Sequence, residues 1–215
     1  MDWSRPVDLY CERTDPSFWA EPLNAVSNAA FLIAAIAAFL QWRRDDCDDL
    51  PVLLLILVTA AIGIGSFIFH TFGTAGAKYF DVIPIGIFIY GYLLLALRRF
   101  FPLSLLASWA IVIAFAATAS FVTLAVPNDL LNGSHAYLPA WCAVLVIGRL
   151  TRDTPHGRLL LATALVLAVS LAFRTVDLTV CGALPLGTHF VWHALNGLVL
   201  YLMLRAAMAG RKRPA

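Results

Sequence analysis

Charge is what this sequence has least of. Asp, Glu, Lys and Arg make up 13% of its 215 residues, while hydrophobic residues reach 61%. An ordinary globular domain carries about twice that share of charge. A water-soluble domain of this length could not hide so much apolar surface, so the solvent must be lipid. The net charge of +2 is too small to argue for a nucleic-acid partner, and none is expected. Internal repeats and low-complexity tracts are also missing, which leaves one helical membrane domain. The polar opening, Met1 to Pro22, lacks a short apolar core followed by a small-residue cleavage site. That excludes a cleavable signal peptide and gives the insertion signal to the first membrane helix. Cysteine is scarce, with four in all.

What is present is a set of seven apolar runs, at 24–42, 51–72, 79–97, 103–126, 136–150, 159–180 and 186–207. Such continuous apolarity excludes strands and ordinary amphipathic helices. The fold class is therefore all-α, a polytopic seven-transmembrane-helix bundle. The fifth run is short for a span of about 20 residues, so it must start in the 127–135 loop or sit at a thinned edge. The chain divides into an N-terminal segment 1–22, a membrane domain 23–207 and a basic tail 208–215. Eleven cations (Arg43, Arg44, Arg98, Arg99, Arg149, Arg152, Arg158, Arg205, Arg211, Lys212, Arg213) flank the runs on one side, against Arg5, Arg13 and Lys78 on the other. The N-terminus is thus expected to be extracytoplasmic and the tail cytoplasmic. Asp45, Asp46, Asp48 and Asp49 read as a solvated inner loop. On this topology Cys11 and Cys181 face an oxidising compartment, where a disulfide is permitted. Cys47 and Cys142 are expected to be free thiols.

The polar residues inside the apolar runs carry the functional information. His189 and His193 stand at i and i+4 at the start of the last run, on one helix face. Ser66 and His70 repeat that spacing near the outer end of the second run, and Asp81 opens the third at the same level. Ionisable groups in a membrane interior are functional candidates by default. Three neutral imidazoles leave one position of a tetrahedral zinc ion open, as catalytic zinc sites require. Zinc brings the pKa of its water to about 7. Asp81 is the candidate to take the water proton. Ser66 is the candidate donor to a developing oxyanion. Arg174 and Asp177, at i and i+3 in the sixth run, are expected to pair with each other, with support of the site as a second role. Asn24, Ser27 and Asn28 form a polar stripe read as helix-packing hydrogen bonds. His135 and His156 read as ordinary loop histidines. The N-terminal segment offers Asp8, Glu12, Asp15 and Glu21, an oxygen-rich set of the kind that suits calcium, without the spacing of an EF-hand loop.

Taken together, the pattern resembles the alkaline ceramidase family of seven-helix membrane amidases. The pieces that carry it are Tyr10-Cys11-Glu12, Ala20-Glu21 with Asn24 and Ser27-Asn28, Gly63-Ile64-Gly65-Ser66 with His70, Asp81, Asp177 with Cys181, and His189-x-x-Trp192-His193. They stand in the family's order over nearly the full chain. The resemblance implies Zn2+ on His70, His189 and His193, with Ser66 and Asp81 beside it. It implies a disulfide from Cys11 to Cys181 and a Ca2+ site using Asp8, Glu12 and Glu21. Asp8 lies three residues before Cys11 rather than the family's two. The family's relatives include the adiponectin-receptor group, which shares the zinc chemistry.

The expected function is zinc-dependent cleavage of the amide bond of ceramide-like lipids, giving a fatty acid and a sphingoid base, with the substrate entering from the bilayer. The alternatives are a seven-helix lipid-binding receptor with a structural zinc and a haem-binding electron carrier. The haem reading leaves Ser66 and Asp81 without a role.

Overall fold

Gly65 has no side chain, and two helices meet there. A Cβ on Gly65 would lie 1.8 Å from the carbonyl oxygen of Phe80. Pro84 lacks the N–H that would bond that carbonyl within its own helix, so the oxygen is free to face the neighbouring helix. The computed structural model describes residues 2–45, 48–127 and 129–211. Its helices are α1 (Pro22–Ser27), α2 (Ala29–Asp45), α3 (Leu50–Phe72), α4 (Ala75–Phe100), α5 (Leu105–Ala125), α6 (Leu138–Leu150), α7 (Pro155–Val180) and α8 (His189–Ala209). Among the described residues, seven spans are long and apolar enough to cross a bilayer, and none of these residues belongs to a strand. The protein is an integral, multi-pass, all-α membrane protein.

The first span is α1 and α2 together, Pro22–Asp45. The fifth is α6 extended by a 3-10 segment, Leu130–Tyr137, giving Leu130–Leu150. Its missing length is thus found in the preceding loop. The last helix runs to Ala209. Residues 212–215 of the basic tail, with Lys212 and Arg213, lie outside the described residues, as do Asp46 and Cys47.

Neighbouring spans pack in chain order, and α8 closes the ring against α2 while also touching α3 and α4. Gly197 permits that closure, since a Cβ there would meet the Ala30 carbonyl oxygen at 2.8 Å. Small residues let membrane helices approach this closely. Hydroxyl caps start three helices: Thr74 accepts from the Ala77 amide (3.2 Å), Ser104 from Ala107 (3.1 Å) and Thr154 from Gly157 (3.0 Å). The outward faces are lipid-like, most plainly on α5, where Leu106 is 81% and Leu124 86% exposed.

Asp49 departs from the expected solvated inner loop. It is buried and accepts two bonds from Arg99, both at 2.8 Å. Arg99 also donates to the Ala207 carbonyl (2.7 Å). A planar guanidinium can serve all three acceptors at once, so this one clasp ties the start of α3 to the ends of α4 and α8.

At the opposite end the N-terminal segment is a strap rather than a tail. Val7 donates to Gly73 (2.8 Å), Ala75 to Arg5 (2.9 Å), Gly76 to Trp3 (2.9 Å) and Trp19 to Thr71 (2.9 Å). The Cys11–Cys181 disulfide fastens it to the end of α7. Cys142 is a free, exposed thiol.

Candidate metal centre

Each of the three imidazoles is buried, and each is held by a different device. His70 lies in the last turn of α3, with Nδ1 2.6 Å from Glu21 Oε2. An ionised carboxylate only accepts, so Nδ1 carries the proton and Nε2 keeps its lone pair. Burial alone would push the Glu21 carboxyl up. The hydrogen bond from His70 and the bond and charge of Arg13 outweigh that and hold it below the usual carboxylate range.

His193 Nδ1 stands 2.7 Å from Ser27 Oγ. The single Ser27 proton goes to the Asn24 carbonyl (2.8 Å), so the oxygen must accept from the ring. His193, like His70, therefore turns a bare Nε2 inward. His189 is the first residue of α8, and Asp177 of α7 fixes its backbone. Asp177 Oδ1 accepts from the Thr188 amide (2.6 Å) and the His189 amide (2.9 Å), while Oδ2 accepts from Cys11 (3.0 Å). The carboxylate thus caps a helix whose own N-cap residue, Thr188, turns its hydroxyl to the Phe173 carbonyl (2.5 Å) instead. It also puts negative charge at the positive end of α8. Gly187, at φ +62°, makes this possible, because a Cβ would lie 2.1 Å from Asp177 Oδ1. Tyr10 stacks on the His189 ring at 3.6 Å and closes the site from the strap side. Burial pushes its phenol up, so it stays neutral.

The candidate ligand atoms of His70, His189 and His193 lie within 4.8 Å of one another. His70 Nε2 and His189 Nδ1 are buried without a hydrogen-bond partner. Buried polar atoms are paired as a rule, and two orphans beside three converging rings are what a metal would satisfy. The second ring nitrogens of His70 and His193 are engaged by Glu21 and Ser27, the outer support that metal-binding histidines require. The donor set fits a metal ion of the kind imidazoles hold.

Ser66 and Asp81 line the same cavity as His189 and His193. Ser66 and Asp81 flank the close approach of α3 and α4 at Gly65 and Phe80. Below them the cavity is apolar, running past Phe88 and Leu160 to Met203. His193 and Met203 are ten residues apart on α8, about 15 Å along its axis.

Two expectations need correction. Arg174 and Asp177 do not pair: Asp177 serves the α8 cap, and Arg174 donates to Asn132 O and to Ser134 Oγ (3.1 Å). Its guanidinium also lies over the Tyr137 and Trp192 rings, at 5.4 and 5.8 Å. Neither His135 nor His156 is a loop residue. His135 is buried in the 3-10 segment, and His156 stacks on Phe100 in the first turn of α7 (4.3 Å). Of the acidic residues expected to hold calcium, Glu12 and Glu21 are buried. Asp8 is exposed, and among the described residues the only cluster of three or more His, Cys, Asp or Glu is the histidine group.

The supporting roles of Glu21 and Ser27 are not visible in the sequence. The available signal was position, since both precede or open the first span at the level of His70.

By class, the chain is a seven-span helical membrane protein built round a buried three-imidazole centre at the head of an apolar cavity. The sequence profile of the family described as Ceramidase matches residues 10–211. That is nearly the whole chain, and the protein belongs to this family. Among curated proteins, none matches it.

Proposed function

We propose that this protein is a zinc-dependent hydrolase that splits the amide bond of ceramide-like lipids into a fatty acid and a sphingoid base. The observation that carries the reading is the pair of orphaned imidazole nitrogens above an apolar cavity with Ser66 and Asp81 at its head. Family membership supports the same substrate class. Zinc on His70, His189 and His193 would polarise the amide carbonyl and make bound water acidic.

The chain's own residues do the rest. The apolar cavity takes an acyl chain, so that the amide comes to rest at the polar head. Asp81 takes a proton from the attacking water and returns one to the leaving amine. Ser66 donates to the carbonyl oxygen as negative charge develops on it. Arg174, the one guanidinium lining the cavity, presents a fixed positive charge beside the head of the substrate. Tyr10 and the strap cover the centre and limit water access. The distribution of cations supports an extracytoplasmic strap and a cytoplasmic C-terminus.

The test is turnover of an N-acyl sphingoid substrate in detergent, with purified protein of measured zinc content, beside His189→Ala. Cleavage that follows zinc and disappears in the variant is the expected result. Stoichiometric zinc without cleavage of any lipid amide would instead favour a receptor with a structural metal.

A further inference from the structure

Between the two glutamates that the resemblance assigns to calcium stands a third residue, Arg13, and it is 4% exposed. Its surroundings consist of oxygen. Nε donates to Glu21 Oε1 (2.5 Å), Nη1 to the carbonyls of Asp15 (3.3 Å) and Ser17 (3.2 Å), and Nη2 to the carbonyl of His70 (3.1 Å). One carboxylate and three carbonyls are the ligand types a calcium ion takes. The His70 carbonyl also belongs to the last turn of α3, the negative end of that helix. Gly73 completes the enclosure. Its φ is +58°, and a Cβ on it would lie 2.3 Å from Arg13 Cζ, so the turn after α3 wraps the guanidinium.

Glu12 is occupied as well. Its two oxygens accept from the amides of Leu23 and Asn24, each at 2.7 Å, and so cap the start of α1. Glu21 spends Oε1 on Arg13 and Oε2 on His70. Of the acidic residues implied for calcium, Glu12 and Glu21 are thus engaged by protein donors, and Asp8 is exposed. They do not fit a calcium ion.

We propose that Arg13 is the cation of this cage, a covalently tethered replacement for a bound calcium ion, and that the protein needs no calcium. A divalent ion and a guanidinium cannot share the same oxygens, because each needs their lone pairs and like charges at such range repel. Arg13 is a positioning residue: it orients Glu21, which in turn fixes the tautomer of His70. The hold on the metal centre is therefore independent of calcium concentration.

The experiment titrates calcium chloride into purified, zinc-loaded protein, reading thermal unfolding and retention of radioactive calcium. The native protein is expected to bind none and to keep its melting temperature. Arg13→Ala should melt lower and gain a saturable rise with calcium, with a dissociation constant on the order of 10⁻⁴–10⁻³ M. Sodium chloride at equal ionic strength should give no such rise. Stoichiometric calcium on the native protein with a higher melting temperature would overturn the proposal, and so would an Arg13→Ala variant indifferent to calcium. Should that variant fail to fold, Arg13→Lys and Arg13→Met keep the long stem and differ in charge. The lysine variant should melt well above the methionine one, and equal melting would overturn the assignment.

Discussion

Asp81 is the residue at which chemistry and architecture separate most cleanly. It lines the cavity, while the three imidazoles, Glu21 and Ser27 hold the centre. Replacing it with Asn keeps shape and removes the base. Turnover of an N-acyl sphingoid substrate should fall about 10²–10⁴-fold, the usual contribution of a positioned acid–base group. Zinc content should stay at the native value, and full activity in Asp81→Asn would sink the role. Glu21 gives the converse case. Glu21→Gln loses both the carboxylate bond to His70 and the ion pair to Arg13. Zinc affinity should drop about 10–100-fold, the range for outer-shell partners, measured by competition with a chelator. At this scale the three converging imidazoles were legible because an ionisable group in an apolar run is conspicuous. The supporting residues were not. Glu21 and Ser27 sit where polar residues are ordinary, and Arg13 reads as one more loop cation until its partners, as distant as His70, come together in space.

Among the elements, α8 depends most on a neighbour. Its opening residues include His189 and His193, yet its own N-cap hydroxyl bonds Phe173 rather than the helix, and Asp177 from α7 does the capping. Asp177→Ala strands the amides of Thr188, His189 and Cys11. The cost should be about 2 kcal/mol, the upper end for losing a cap. Thermal unfolding would read the loss, and zinc affinity should fall with it as His189 loses its anchor. An unchanged melting temperature would mean that the cap is redundant. Helical spacing correctly placed Arg174 and Asp177 on neighbouring turns, but spacing only says who can meet. Asp177 meets the amides of another helix's N-terminus, and Arg174 meets the 3-10 segment and two aromatic rings. Both sets of partners lie outside α7, beyond the reach of a local rule. The fifth span shows the same limit: the α6 run is too short alone, and only the fold around Arg174 shows how Leu130–Tyr137 completes it.

For the whole molecule, the seven-span architecture was legible almost throughout, since length and apolarity suffice to mark a helix in lipid. The ring closure was not, because it rests on the single atom missing at Gly197. The Cys11–Cys181 bond links residues 170 apart in sequence. Loop entropy for a soluble chain would value such a link at about 5 kcal/mol. Spans that remain inserted lower that figure, because the unfolded chain is already confined by the bilayer. Replacing both cysteines by Ser should therefore cost about 2 kcal/mol of stability, read as a lower melting temperature in detergent. A loss near the full entropic value would show that the spans leave the membrane-like environment on unfolding.

The order of the contributing residues along the chain has a consequence for biosynthesis. The centre draws on the strap, on α3 and on the start of α8, so two of its three imidazoles are synthesised only after six spans have been made. A nascent or truncated chain ending before His189 holds a single histidine of the set. On the proposed reading, capture of a metal by all three imidazoles is thereby deferred until the start of the seventh span has been made.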